Sequence, residues 1–293
     1  MNNHWEETAT CLEEMILDDP ADRGVRQFSV AGELAGAARS LLDGQRIIII
    51  TGFYILAAAA AESDGPPGAV VLARALRQLG KEVLLVTDPA NEAVVKAAAD
   101  IMDPGLPVAV FKPGDLQESY QALLNQFRPT HVVAVERPGR AVDNAYYTMR
   151  GDDISAMTAC LDWLVILASE QGAVTIGMGD GGNEIGMGRV QDRVAVCVPF
   201  GERIACCVAT DFILTAGVTN WAAYALVTLL ALASGKPLLH TPEDEQAILE
   251  AMTRAGCVDG NLCRPADSID AVPLADHQER IRRMSRMQHE SLE

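Results

Sequence analysis

The stretch GMGDGGNEIGMG, residues 177–188, sets Asp180, Asn183 and Glu184 among six glycines. Two carboxylates and an amide on so bare a backbone suit chemistry that needs close approach: proton transfer, cation binding or capture of a substrate amine. Asp180, Asn183 and Glu184 are the catalytic candidates, and Gly181 and Gly182 are candidates to meet substrate through their backbone. A literal G-x-G-x-x-G runs through Gly177, Gly179 and Gly182. A dinucleotide fingerprint, however, needs a helix opening within the turn, and the charges of Asp180 and Glu184 would oppose a pyrophosphate. The plainer alternative is a tight reversal in which only conformation matters.

Two further stretches carry the same chemistry. AESDGPPGA (61–69) places Glu62 and Asp64 beside Gly65, ahead of a Pro66-Pro67 helix start whose amides could hold an anion. Its acids could equally serve the helix dipole alone. VERPGRAVDNAYYTMRGDDIS (135–155) leaves Glu136 at a strand end, then supplies Arg137, Arg140, Asp143, Asn144, Tyr146, Tyr147, Arg150, Asp152 and Asp153. A polar loop this long is more often functional than not, and one of Asp152 and Asp153 is expected to cap the next helix. Glu62, Asp64, Glu136, Asp180 and Glu184 make up the candidate metal set. Their hard oxygen atoms favour magnesium or manganese, with calcium also admissible, over zinc or copper. Asp64, Gly65, Arg137, Arg150, Gly181, Gly182 and Asn220 are the candidate substrate contacts. The five histidines form no zinc-binding spacing, and neither a G-x-S-x-G elbow nor a Walker A motif occurs.

These residues need a frame. Apolar runs at 46–53, 81–88, 106–113, 130–139, 172–180 and 193–200 read as strands, several as continuous blocks of the kind buried on both faces. Helical patterns lie between them, at 66–80, 89–103, 114–127 and 152–172, so a mostly parallel α/β sheet flanked by helices is expected. Residues 4–42, 242–255 and 276–290 add helices at the two ends. The polar residues at the strands' carboxyl ends, 51–53, 87–88, 136–140 and 179–184, fall where parallel sheets bind ligands. No linker or repeat divides the chain, so a single domain over 1–293 is expected, with subdomains admissible.

Composition narrows the partners. With 23 Lys and Arg against 40 Asp and Glu, the net charge of −17 disfavours nucleic acid and anionic membranes and leaves small molecules and cations. The apolar segment 216–235 approaches the length of a membrane span, but Thr219, Asn220, Trp221 and Tyr224 crowd one end and no basic flank precedes it, so a buried helix is expected. The seven cysteines form no CxxC pair and sit mostly in apolar runs, as buried thiols of a reducing cytoplasm would. The N-terminal residues lack the pattern of a signal or transit peptide, so a cytoplasmic location is expected. A homo-oligomer is expected as well.

Taken together, ESDGPPGA (62–69), ERPGRAVDNAYYTMRGDDIS (136–155), TIGMGDGGNEIGMGRV (175–190) and ATDFILTAGVTNWAAYAL (209–226) resemble the D-glutamate cyclase family. The resemblance extends from about residue 12 to 260, and the run Asp-Gly-Gly-Asn-Glu is its most specific part. It is to the C-terminal domain of larger members, of which this would be a standalone version. Ser63 and Asn144 stand where Thr and Gly are expected, and neither change removes a charge. The resemblance implies a hydro-lyase that closes D-glutamate to 5-oxo-D-proline and water. That reaction needs a base for the ammonium, a role that suits Glu184 or Asp180. It also needs a cation to neutralise the side-chain carboxylate, either a metal or one of Arg137, Arg140, Arg150 and Arg189. Two other classes remain open: a metal-dependent phosphoester hydrolase, and a protein that binds an amino acid or divalent cation without turnover.

Overall fold

The computed structural model describes residues 3–289. Six strands form one parallel sheet: β1 (Arg46–Thr51), β2 (Glu82–Thr87), β3 (Val108–Val110), β4 (His131–Val135), β5 (Val174–Gly179) and β6 (Phe212–Thr215), in the order β3-β2-β1-β4-β5-β6. Chain direction across the sheet reverses between β1 and β4, and in such a doubly wound sheet the crevice above that point is where ligands bind.

Among the described residues twelve helices surround the sheet: α1 (Asn3–Ile16), α2 (Val25–Phe28), α3 (Glu33–Asp43), α4 (Pro66–Gln78), α5 (Glu92–Met102), α6 (Gln117–Phe127), α7 (Asp162–Glu170), α8 (Gln191–Cys197), α9 (Gly201–Ile204), α10 (Thr219–Ser234), α11 (Pro242–Arg254) and α12 (Leu274–His289). Successive residues of β1 face opposite ways. Ile47 and Ile49 pack with α1, α3, α4, α5, α10, α11 and α12, whereas Ile48 and Ile50 pack with α2, α6, α7 and α8. Each of these isoleucines is fully buried and contributes roughly 1.5–3 kcal/mol by leaving water. That two-sided burial is why the strand reads as an unbroken apolar block. Helix α10 is apolar all round for the same reason, since Thr219 to Ala231 are all buried. Among the described residues no helix is long and apolar enough to cross a membrane.

The structure corrects three sequence expectations. Residues 193–200 form no strand; the run falls largely in α8, where Val194 is buried but Val196 is 88% exposed. The sixth strand is instead β6, whose four residues are too short a run to stand out by periodicity. The helix expected over 152–172 is confined to α7; before it the chain makes a short 3-10 turn at Ser155–Met157, with Asp153 Oδ1 accepting from the Ser155 amide at 2.8 Å. The cysteines are all free, but only Cys206 and Cys257 are buried, while Cys11 and Cys207 are exposed. The terminal helix was expected to reach residue 290, which lies outside the described residues.

Candidate active site

Three loops at the carboxyl edge of the sheet bring the acids together. After β1 the chain makes a small hairpin, pairing Tyr54–Ile55 with Ala60–Ala61, and then presents Glu62 and Asp64. Glu62 is held by a bridge to Val258, in which the Ser63 amide donates to the Val258 carbonyl at 2.9 Å. Gly260 packs against the Glu62 side chain: a Cβ there would force that carboxylate to shift. After β4, Glu136 adopts a positive φ of 45°, a costly conformation for a residue with a Cβ and one that recurs at functional sites.

The glycine loop after β5 docks on the segment after β4. The Gly139 amide donates to the Asn183 carbonyl at 2.8 Å, and the Ile185 amide donates to the Arg137 carbonyl at 2.9 Å. Within the loop, Glu184 turns back on its own backbone and accepts from the amides of Gly181 and Gly182, each at 2.7 Å. The glycines therefore serve conformation and close approach together. Gly182 has φ 98°, and a Cβ on it would collide with Val194. Gly182→Ala should cost at least about 1 kcal/mol of stability, seen as a lower melting temperature; an unchanged one would contradict this account of the loop.

Glu62, Glu136, Asp180, Asn183 and Glu184 line one cavity of about 100 Å³ that opens to solvent, with Arg150 at its exposed rim. All but Arg150 are buried. Asp64 sits behind the wall: it is fully buried, and its oxygen atoms accept from the amides of Thr219 at 2.8 Å and Asn220 at 3.0 Å, at the N-terminus of α10. Asn220 returns the contact, its Oδ1 accepting from the amides of Gly65 at 3.1 Å and Gly68 at 2.7 Å. With Pro66 and Pro67 lacking N–H groups, the start of α4 has those amides already committed. Arg137 does not reach the cavity. It is 1% exposed, donates to the carbonyls of Gly52 at 2.9 Å and Ala159 at 2.8 Å, and pairs with Asp88 at 2.7 Å.

One oxygen each from Asp64, Glu136 and Asp180 lies within 4.8 Å of the others, so this buried triad could hold a metal ion. An all-oxygen donor set fits a hard divalent cation. Burial raises the proton affinity of Glu62, Glu136, Asp180 and Glu184, and raises the Asp64 pKa to about 7, with repulsion from neighbouring carboxylates adding to the first three and to Asp64. Thr219 Oγ1 donates to Glu136 Oε2. A cluster this rich in carboxylates demands protons or cations.

The cation the fold supplies is one that sequence reasoning missed. Arg23, from the segment before α2, lines the cavity and pairs with both Asp180 and Asp270. Asp270 is the only acid of the group whose proton affinity is lowered; burial opposes this, but Arg23 outweighs it. Nothing local to Arg23 or Asp270 signals the pairing, because 247 residues separate them.

A fold of this kind with an acidic pocket at its switch point agrees with the comparison to known families. Residues 12–285 match the family described as D-glutamate cyclase-like, C-terminal, and the chain belongs to that family. Among individual relatives, the D-glutamate cyclase, mitochondrial, of Homo sapiens is 36% identical over 233 residues. That alignment covers 75% of this chain and 38% of the human protein, so the chain spans well under half of its relative's length.

Proposed function

We propose that the pocket closes D-glutamate to 5-oxo-D-proline with release of water. The observation that carries this reading is the convergence of Glu62, Glu136 and Asp180 on one buried cavity in a chain of this family. In the reaction a bond forms between the amine nitrogen and the side-chain carboxyl carbon, and a bond from that carbon to oxygen breaks. The ammonium loses two protons, and both end on the departing oxygen as water. No net acid or base is consumed, so the site needs a relay between nitrogen and oxygen, a task suited to neighbouring buried carboxyl groups. In this reading Glu136 and Asp180 accept from the ammonium and return protons to the leaving oxygen. Glu184, with its oxygens on its own loop amides, shapes the wall. Folding the substrate so that its two ends meet supplies the rest of the advantage through proximity.

Magnesium or manganese held by Asp64, Glu136 and Asp180 would supply polarisation of the substrate's side-chain carboxylate as a Lewis acid. Millimolar magnesium or manganese should then raise the melting temperature, and a chelator should reverse it, since a ligand at a hundred times its Kd stabilises by about 2.7 kcal/mol. No shift with magnesium, manganese or calcium would remove the metal from the account. At the rim, Arg150 is suited to meet a substrate carboxylate. Arg150→Ala should weaken D-glutamate binding by about tenfold, the loss of one charge-assisted hydrogen bond, while metal affinity holds. Unchanged affinity would make Arg150 a solvated surface residue.

The test of the reading is turnover. Loss of primary amine from D-glutamate is expected in the purified chain with magnesium or manganese, and a chelator should suppress it. Release of phosphate from phosphomonoesters with manganese, and no consumption of glutamate, would favour a phosphoester hydrolase. Stabilisation by D-glutamate that stays chemically unchanged would favour a binding protein.

A further inference from the structure

Arg23 enters the pocket from near the N-terminus, yet residues near the other end of the chain fix its guanidinium. Nη1 pairs with Asp180 and donates to Asp270 Oδ2 at 2.8 Å, and Nη2 donates to Asn261 Oδ1 at 3.3 Å. Asn261 Nδ2 in turn donates to the Asp270 carbonyl at 3.0 Å. The turn carrying Asp270 is itself clamped, since Asp259 Oδ2 accepts from Ser268 Oγ at 2.6 Å and from the Ala271 amide at 2.8 Å. Asp270 and Ala271 stand at φ 54° and 62°, two consecutive left-handed residues without a glycine. Such strain persists only where its surroundings enforce it.

Asp270 cannot be there to balance charge. Arg23 already faces Asp180, and a further carboxylate adds repulsion to a pocket that has Glu62, Glu136 and Asp180 in its wall. What Asp270 adds is orientation. Of the five N–H groups of a guanidinium, one on Nη1 is donated to Asp270 and one on Nη2 to Asn261, while Nη1 also lies against the Asp180 carboxylate as an ion pair. Among the described residues Nε–H has no partner, and it lies on the side edge of the guanidinium, the edge that with Nη2 matches a carboxylate bidentately.

We infer that this edge of Arg23 receives a carboxylate of the dicarboxylate substrate, and that Asp270 is the positioning residue that holds the guanidinium for it. The inference rests on reading the pocket as a glutamate site. It adds an inner carboxylate contact to the outer one at Arg150.

Calorimetric titration of the full chain with glutarate tests it, because glutarate has both carboxylates and no amine and so binds without reacting. A failure of the cyclase reading would appear as D-glutamate left unconverted, and leaves the glutarate result to be read separately. On charge alone, Asp270→Asn should tighten glutarate binding by removing a repulsive carboxylate. Positioning has the opposite sign: weakening by about tenfold or more, partly restored in Asp270→Glu. Arg23→Lys should weaken binding similarly, and adding Asp270→Asn to it should cause little further loss, since the two act as a unit. Should Asp270→Asn not fold, Asn261→Ala, which removes only the acceptor on Nη2, carries the same expectation of weaker binding. Equal or tighter glutarate binding in the folded variant, losses that add in the double variant, or a wild-type chain that binds no glutarate would each overturn the inference.

Discussion

Glu136→Gln and Asp180→Asn are each expected to lower turnover of D-glutamate by at least about 100-fold, with the melting temperature of the ligand-free protein unchanged or higher. Both substitutions keep shape and the capacity to accept a hydrogen bond, so Thr219 can still donate to residue 136. What they remove is a charge that burial and neighbouring carboxylates disfavour. A buried group whose charged form is penalised destabilises the fold when ionised, and its neutral isostere relieves that cost. Loss of activity without loss of stability is the pattern of a site maintained for chemistry at the expense of the fold. If activity and melting temperature fell together, the two residues would be structural. Full activity in both variants would place the chemistry elsewhere.

Arg137→Met should have the opposite signature. It strands the Asp88 carboxylate, 1% exposed, without its cation and leaves the carbonyls of Gly52 and Ala159 without these donors. Removing one partner of a buried ion pair costs about 3–5 kcal/mol. The carbonyl of Gly52 follows β1, and Asp88 follows β2, so this arginine ties the strand ends that carry the pocket. Calorimetry should show a much lower melting temperature. Glutarate affinity, measured well below the transition, should be close to wild type. A variant of normal stability that no longer binds glutarate would return Arg137 to the role of substrate contact.

The sequence made Glu136 and Asp180 visible because each follows an apolar run buried on both faces, and polar residues that end such runs in a parallel sheet stand at one edge. Glu62, set off from β1 by the partly exposed hairpin, was visible only through the turn signal of Asp64-Gly65-Pro66 beside it. Five of the six strands follow from the same pattern. The sixth does not, because β6 has four residues, whereas the longer apolar run at 193–200 falls largely in a helix with Val196 in solvent. Arginine roles were hidden for a related reason. Arg137 lies beside Glu136 in the chain, and adjacency in a motif gives no sign of which way a side chain points. Arg23 and Asp270 lie in segments without any local motif, and only the tertiary fold joins them. Glu184 was legible as part of a site loop, but its capture by the amides of Gly181 and Gly182 depends on the loop's conformation.

The central claim, that this acidic pocket cyclises D-glutamate, is tested most directly with D-glutamate labelled with carbon-13 at its side-chain carboxyl. The purified chain, with magnesium or manganese, is followed by NMR alongside the L enantiomer and the Asp180→Asn variant. The account predicts that the carboxylate resonance of D-glutamate gives way to a lactam carbonyl resonance, with no such change in the variant. A carboxylate signal that persists in the wild-type protein, or a lactam that forms equally fast with Asp180→Asn, would contradict it.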